Sequence, residues 1–185
     1  MSFVGRLLRP IRAGETHLAS NHPSVRLATE SLKLSSDTFA ADSPIPVRCA
    51  GRGVGDNLSP QLSWEGAPED TQELVLIIED PSAPLPRPFV HAVVTGIAAS
   101  MNSLAEGALN ATHAAHVTMG LNSFHQRVYL GPRPVPGHGP HDYVFQLFAL
   151  RRQLPETNRA TKGRVLRLID GLVVARGRLT GTYEP

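Results

Sequence analysis

The chain has 185 residues, of which 41% are hydrophobic and 18% are charged, and its formal net charge is +2. This length suits one domain with a substantial core, and so small a net charge gives no electrostatic argument for nucleic-acid binding. Cys49 is the only cysteine, which excludes an intrachain disulfide and a cysteine-based metal cage. No apolar stretch approaches the length of a membrane-spanning helix, and we expect a cytoplasmic protein.

Residues 1–30 are basic and rich in turn formers, and we interpret them as an N-terminal arm outside the main domain. Apolar residues at helical spacing predict a short amphipathic turn over residues 3–9. This run is too short for a signal peptide, and Pro10 interrupts it. The arm is expected to be frayed, or to pack on a partner or on its own domain; anchoring to a membrane surface is the alternative.

Residues 31–185 are predicted to form one domain of short strands. Alternating leucines predict a half-buried strand in residues 31–40, and glycines and prolines make residues 41–64 rich in turns. The continuous apolar run of residues 73–80 predicts a buried strand that ends at two carboxylates. Four prolines exclude regular structure from residues 81–88.

The second half of the chain predicts two more strands, a helix and a last short strand. Residues 143–150 form a strong strand, and the alternation in residues 89–97 places five residues on one strand face: Phe89, His91, Val93, Thr95 and Ile97. Apolar residues at helical spacing predict a helix over residues 161–176, which Gly171 weakens but need not end. The predicted fold is mainly β: an antiparallel β-sandwich with a C-terminal helix and a short final strand.

Polar side chains stand at the ends of three predicted strands. Asp80 ends one strand and His91 begins the next, so a hairpin would bring them within about two residues of register. His141 and Tyr143 share one face of a later strand. These four residues predict a small polar pocket with apolar walls. Imidazolium and phenol groups donate to anionic oxygens, which suits a phosphate ester that also carries a donor.

Each of these residues also has a simpler interpretation. Asp80 could cap a turn, a histidine on a strand could be a core residue, and residues 137–141 could be a structured turn. A zinc site of Asp80 and two histidines is another alternative, although His138 and His141 lack the spacing of the helical metal motif. A Ser-His-Asp hydrolase is disfavoured because no serine stands in a nucleophile elbow.

Four segments, in order, resemble the phosphatidylethanolamine-binding protein family, which includes the Raf kinase inhibitor proteins, and its bacterial branch most of all. They are "DNLSPQLSW" (56–64), "EDPSAP" (79–84), "FVH" (89–91) and "GPRPVPGHGPHDYVFQLFAL" (131–150). The closing "GTYEP" is also similar. Each segment alone is weak evidence of kinship, whereas four in sequence are specific. The resemblance covers about residues 31–185 and leaves the arm outside.

The resemblance implies a β-sandwich with a small anion pocket for phosphate-bearing head groups. Matching positions imply six ligand-binding residues: Asp80, Phe89, His91, Arg133, His141 and Tyr143. Phe89 stands where the family usually has tryptophan, and Arg133 lies in a loop whose N–H groups face the anion. Four residues are assigned to loop support: Pro84, Gly131, Pro132 and His138. The resemblance implies neither a cofactor nor a metal.

Two positions depart from the family pattern. Ser82 replaces an aspartate, and Asp142 replaces an arginine. If the two side chains are neighbours, Ser82 removes a clash of carboxylates and preserves the pocket. If they are far apart, the pocket rim is more acidic than in the family.

Three classes of function follow from these observations. The favoured class is a non-catalytic protein that binds a phosphate-bearing small molecule or lipid head group. The alternative is an inhibitor or regulator that docks on a kinase or protease. An enzyme is disfavoured because the sequence has no recognisable nucleophile or cofactor motif. Likeness to bacterial proteins implies a homodimer.

Overall fold

The structure, a computed structural model, describes residues 3–110 and 117–185. Two α-helices and nine strands lie within these ranges, besides two short 3-10 helices. In chain order they are α1 (Phe3–Leu8), β1 (Lys33–Ser35), β2 (Ser43–Pro44), β3 (Leu62–Glu65), β4 (Glu73–Asp80), β5 (Phe89–Ala98), β6 (Ser103–Leu104), β7 (Thr118–Met119), β8 (His141–Leu150), α2 (Lys162–Leu168) and β9 (Val173–Tyr183). The predicted strand in residues 31–40 is thus reduced to three residues.

The strands form two sheets. The smaller sheet has the order β1-β3-β6, and the larger has the order β2-β9-β8-β4-β5-β7. The prediction of a mainly β fold is confirmed. The larger sheet is mixed rather than purely antiparallel, because the chain crosses from β1 and adds β2 parallel to the edge of β9.

A hydrophobic core fills the space between the two sheets. Leu34 and Trp64 enter it from the smaller sheet, and Leu76 and Phe145 enter it from the larger. Every residue of β4 is buried, as expected for a central strand with both faces covered. The first core therefore lies on one face of β4 and a second lies on the other.

The second core lies on the outer face of the larger sheet. Val75 and Phe148 contribute from the sheet, Val165 contributes from α2, and Ala19 and Val25 contribute from the arm. The arm therefore packs on its own domain and, with α2, covers the outer face. Within the ranges that the structure describes, no helix is long and apolar enough to cross a membrane.

The C-terminal region differs from its prediction. Thr161 caps α2 by accepting a hydrogen bond from the N–H of Arg164, and the helix ends at Leu168. Gly171 then adopts a φ of 70°, a conformation that favours glycine and turns the chain out of the helix. β9 follows with 11 residues, ten of which pair with β8. The predicted order of a helix and a final strand is confirmed. The predicted lengths were wrong because the valines in residues 173–174 suit a strand as well as a helix, and pairing with β8 decides between the two.

The prediction that five alternating residues of β5 share one face was also wrong. Ile78 pairs with Ala92 and Glu79 pairs with Val90, which leaves His91 as the extra residue of a β-bulge. Beyond the bulge Ala92 faces the first core and Val93 faces the second. Because of the bulge, the side chain of His91 does not follow the alternation of the later residues of β5.

Candidate functional site

A cavity of about 600 Å³ opens at the ends of β4, β5 and β8. Eight of the ten residues that the sequence assigned to the site line it: Asp80, Pro84, Phe89, His91, Gly131, Arg133, His141 and Tyr143. The other two lie behind the lining. The Pro132 carbonyl accepts from the N–H of Gly51 at 2.8 Å, and His138 contacts the His141 ring.

Strand pairing explains why the polar residues meet. Asp80, the last residue of β4, pairs directly with Phe89, the first residue of β5, so His91 follows two positions later at the bulge. β8 lies on the other side of β4 and begins at His141. Asp80, His91, His141 and Tyr143 are all less than 6% exposed, so their polar atoms are almost wholly removed from water.

Asp80, His141 and His138 form a chain of hydrogen bonds, here called the Asp-His-His relay. His141 Nδ1 lies 2.7 Å from Asp80 Oδ2, and His141 Nε2 lies 2.7 Å from His138 Nδ1. His138 Nε2 lies 3.0 Å from the carbonyl oxygen of Leu8 and 3.2 Å from that of Ile11. The relay therefore runs from the cavity to the N-terminal arm.

Counting protons fixes the charge of this relay. A carbonyl only accepts, so His138 Nε2 must carry a hydrogen, and each of the two remaining links needs one more. Two neutral imidazoles supply two N–H groups, whereas the three links need three hydrogens. The third sits either on the histidine pair, beside an ionised Asp80, or on Asp80 itself. In both arrangements the relay as a whole has a net charge of zero, so the charge of Asp80 is compensated within the relay.

The same bonds change the expected role of His141. Both of its ring nitrogens are engaged by protein partners, so His141 lines the cavity without a free nitrogen for a ligand. Its effect on a ligand is indirect, through the compensation of the charge on Asp80.

His91 has the opposite character. Its Nδ1 donates to the carbonyl of Leu130 at 2.6 Å, and its Nε2 is buried without a partner among the residues that the structure describes. Burial lowers the pKa of His91 below its ordinary value and outweighs the nearby Asp80 charge, which acts to raise it. The ring is therefore neutral near pH 7, and its buried Nε2 is left as a hydrogen-bond acceptor.

Tyr143 supplies a second buried polar atom. Its hydroxyl group lies near the backbone of Arg133, which acts to lower the pKa of Tyr143, but it forms no hydrogen bond of good geometry with any described residue. Burial, reinforced by the negative charge of Asp80, raises the pKa of Tyr143 above its usual range, so the hydroxyl keeps its proton. Its ring meets the His91 ring edge-on, with centroids 5.1 Å apart. The hydroxyl can both donate to and accept from a ligand.

Aromatic rings form the apolar side of the cavity. The Phe89 ring lies 4.9 Å from the His91 ring and 5.1 Å from the Phe124 ring, measured between centroids. Phe124 is 66% exposed, so it stands at the mouth of the cavity. Sequence reasoning missed Phe124 because it lies in an irregular loop with no periodic pattern.

Asn57 is a second residue that sequence reasoning missed. Its side chain accepts from the N–H of Gly131 at 2.8 Å and donates to the carbonyl of Tyr129 at 3.1 Å. Its φ of 59° lies in the left-handed region, which asparagine tolerates better than most residues. Asn57 therefore fixes the cavity wall at residues 129–131. Asn57 lies in the segment "DNLSPQLSW", whose resemblance to the family gives this residue no role by itself.

The two departures from the family pattern are neighbours. Ser82 Oγ accepts from the backbone N–H of Asp142 at 3.1 Å, and the N–H of Ser82 donates to Asp80 Oδ1 at 2.7 Å. This supports the first of the two readings, in which a neutral residue at position 82 avoids a second carboxylate beside Asp142. Ser82 holds Asp80 from behind and does not line the cavity.

The histidine and acidic side chains that the structure describes do not form a metal site. Across residues 3–110 and 117–185, no group of three histidine, cysteine or acidic residues is arranged to hold a metal ion. Asp80, His141 and His138 bond to one another in sequence rather than facing a common point.

The fold and the cavity define a class of protein: a β-sandwich with a partly polar pocket at its strand ends. A sequence profile described as phosphatidylethanolamine-binding protein matches residues 35–184. The chain therefore belongs to the phosphatidylethanolamine-binding protein family, which confirms the resemblance found in its four segments.

Relatives from two bacteria support the assignment. A UPF0098 protein of Chlamydia trachomatis is 33% identical over 157 residues, which cover 83% of this chain and 99% of the relative. LppC, a candidate lipoprotein of Mycobacterium tuberculosis, is 36% identical over 85% of this chain and 74% of its own. The crystal structure of a family homologue from Chlamydia trachomatis has a TM-score of 0.76 at 31% identity, covering 85% of this chain and 99% of that one.

Proposed function

We propose that this protein is non-catalytic and binds a small phosphate-bearing ligand, free or as a lipid head group, in the cavity beside His91 and Tyr143. One observation carries the proposal: His91 Nε2 and the Tyr143 hydroxyl belong to buried lining residues and form no hydrogen bond of good geometry with any residue that the structure describes. A buried polar atom without a partner costs free energy, about 1–3 kcal/mol, and a ligand that supplies the partner recovers it.

Charge in the lining supports an anionic ligand. Arg52 and Arg133 both line the cavity and bring positive charge to it. The Asp-His-His relay compensates Asp80, so the one lining carboxylate carries its own counter-charge. The Tyr143 hydroxyl donates to a phosphate oxygen, and neutral His91 accepts from a protonated phosphate, a hydroxyl or an ammonium group on the ligand.

Shape supports an ester rather than a bare ion. The cavity is larger than a phosphate ion needs, and Phe89, Phe124 and Val128 give it an apolar wall. A phosphate monoester with an apolar substituent would fill both parts of this lining.

Calorimetric titration with phenyl phosphate tests the proposal. Tyr143→Phe removes the hydroxyl but keeps the ring, and we expect it to weaken binding by about 1.5–3 kcal/mol, the scale of a hydrogen bond to a charged group. Tyr183→Phe is the matched control, because Tyr183 is also buried but does not line the cavity. An equal affinity for the wild type and Tyr143→Phe would remove the tyrosine from the site, and no binding by the wild type would overturn the proposal.

The remaining expectations from the sequence stay predictions. They concern docking on a kinase or protease, the homodimer, the cytoplasmic location and the boundary between arm and domain at residue 30. Pull-down from cell extract with wild-type protein and with Tyr143→Phe would separate a protein partner from a cavity ligand, since a docking surface does not depend on that hydroxyl.

A further inference from the structure

The first part of the arm exposes its apolar side chains. Among the residues that the structure describes, nine large hydrophobic side chains are exposed, and four of these lie between residues 3 and 11. They are Phe3, Val4, Leu7 and Ile11, with exposed fractions of 80%, 57%, 69% and 48%. We call these four residues the arm face. Isolated exposed hydrophobic residues are ordinary, whereas a cluster of this kind marks an interaction surface.

The arm face is not a consequence of fraying, because the same segment is fixed through its backbone. Gly5 is buried against Pro136 and His138, and a Cβ at residue 5 would overlap the Pro136 carbonyl. His138 Nε2 lies within hydrogen-bonding distance of the carbonyls of Leu8 and Ile11.

Two arginines add further contacts. Arg9 Nε donates to the carbonyl of Gly137 at 2.9 Å, and Arg12 donates to that of Pro140 at 3.1 Å. A segment that packs for its own stability turns apolar side chains inward. Here the glycine and the carbonyls face inward, and the large apolar side chains face outward.

Charge indicates what covers the arm face. Arg6, Arg9 and Arg12 are exposed on the same segment, and the first acidic residue of the chain is Glu15. Apolar side chains that enter a bilayer boundary, flanked by arginines that meet anionic head groups, are typical of interfacial membrane binding. We propose that the arm face docks on a lipid bilayer that contains anionic lipid.

A second copy of the chain fits this surface less well. In a two-fold contact the arm face would meet itself, and the flanking arginines of the two copies would be brought together, which costs free energy. An anionic bilayer complements the same arginines. None of the four residues of the arm face lines the cavity, so the proposed surface is distinct from it.

Vesicle flotation tests the proposal. Wild-type protein should float with vesicles of phosphatidylcholine and phosphatidylglycerol, and its bound fraction should fall with pure phosphatidylcholine or at high salt. The double variant Phe3→Ser/Leu7→Ser should reduce partitioning about tenfold or more, because two large apolar side chains no longer enter the boundary. Leu27→Ser is the matched control, since Leu27 is 89% exposed but lies outside the arm face.

Excess soluble phenyl phosphate is present throughout, so a lipid head group in the cavity does not account for the flotation. Equal thermal melts exclude unfolding of the variants. Absence of flotation by the wild type, or equal flotation by wild type and double variant, would overturn the proposal. So would a light-scattering mass of two chains that falls to one chain in the double variant, because a second copy would then cover the arm face. Failure of phenyl phosphate to bind would count against the cavity proposal and leave this one standing.

Discussion

His138 Nε2 lies 3.0 Å from the carbonyl oxygen of Leu8, although 130 positions separate the two residues. Through this contact the N-terminal arm meets the Asp-His-His relay, whose other end is a residue of the cavity lining. The packing of the arm and the geometry of the cavity are therefore coupled through the buried imidazole of His138. A substitution of His138 should change both.

His138→Leu should destabilise the fold and loosen the arm. The substitution keeps an apolar side chain in place but leaves His141 Nε2 and the Leu8 and Ile11 carbonyls without their partner, at a cost of about 1–3 kcal/mol. Denaturant unfolding measures this cost, and trypsin should cleave after Arg6 and Arg12 faster than in the wild type. His125→Asn is the control, because His125 is exposed and asparagine tolerates its φ of 58°. Unchanged cleavage at both arginines would show that the relay does not hold the arm.

Gly5→Ala should release the arm by a different route. A Cβ at residue 5 would overlap the Pro136 carbonyl and lie 2.7 Å from the backbone nitrogen of His138, so the helix must move away from the loop. Hydrogen exchange of the His138 N–H and of the arm amides should accelerate. Gly163→Ala is the matched control: Gly163 is exposed in α2, its added Cβ meets only the flexible Arg167 side chain, and alanine there should stabilise by about 0.5–1 kcal/mol. If these amides exchanged as slowly in Gly5→Ala as in the wild type, the close contact between Gly5 and the loop would be contradicted.

Sequence reasoning predicted the strands that carry the site because strand pattern and chain order contain that information. The apolar runs of β4 and β8 are buried on both faces. Polar residues that meet in the cavity follow the first run, at Asp80, and precede the second, at His141. The bulge at His91 and the length of β9 were not predictable in this way, since both depend on register with a neighbouring strand. The relay was missed as well, because His138 finds its last partner in an arm that has no periodic link to the loop.

Substitution of Glu79 should destabilise the fold. This residue lies on the other face of the larger sheet from the cavity. Its side chain is fully buried and accepts from the N–H of Ala19 at 2.7 Å, from Gln146 at 2.9 Å and from Lys162 at 2.6 Å. One carboxylate thus ties the arm, β8 and α2 to β4. Glu79→Gln removes the charge and leaves Lys162 without its counter-ion, which should cost about 3–5 kcal/mol of unfolding free energy.

Glu30→Gln is the control for Glu79→Gln. Glu30 also pairs with an arginine, Arg176, but its side chain is 73% exposed, so the loss should stay below about 1 kcal/mol. Chemical denaturation of both variants measures the difference. Similar losses in the two variants would mean that burial of Glu79 does not strengthen its contacts.

His91 should make stability depend on pH. Burial lowers its pKa in the folded protein from the ordinary value of 6.5, so below that value the unfolded chain binds a proton that the folded chain does not. Stability therefore rises with pH in this range: the contribution is complete above the ordinary pKa and is lost as pH falls toward the folded pKa. His91→Asn keeps a donor for the Leu130 carbonyl and removes the titrating ring. The variant's thermal melting temperature should fall less steeply than that of the wild type on acidification, and parallel curves would contradict the assignment.

The affinity for an anion should rise as pH falls, whereas the stability of the fold should decrease. This difference distinguishes the neutral form of His91 from its imidazolium form. An anion beside Nε2 favours the imidazolium, so binding takes up a proton and affinity should rise as pH falls. Phenyl sulfate is the sharper probe, because its charge does not change between about pH 5.5 and about pH 8.5, whereas a phosphate monoester loses a proton near pH 6. Calorimetry should find tighter binding of phenyl sulfate at the lower pH, with proton uptake that varies with the ionisation enthalpy of the buffer. His91→Asn should abolish both the pH dependence and the uptake. Equal affinity of the wild type at the two pH values would show that His91 stays neutral in the complex, and the ligand would then have to supply the proton for Nε2 itself.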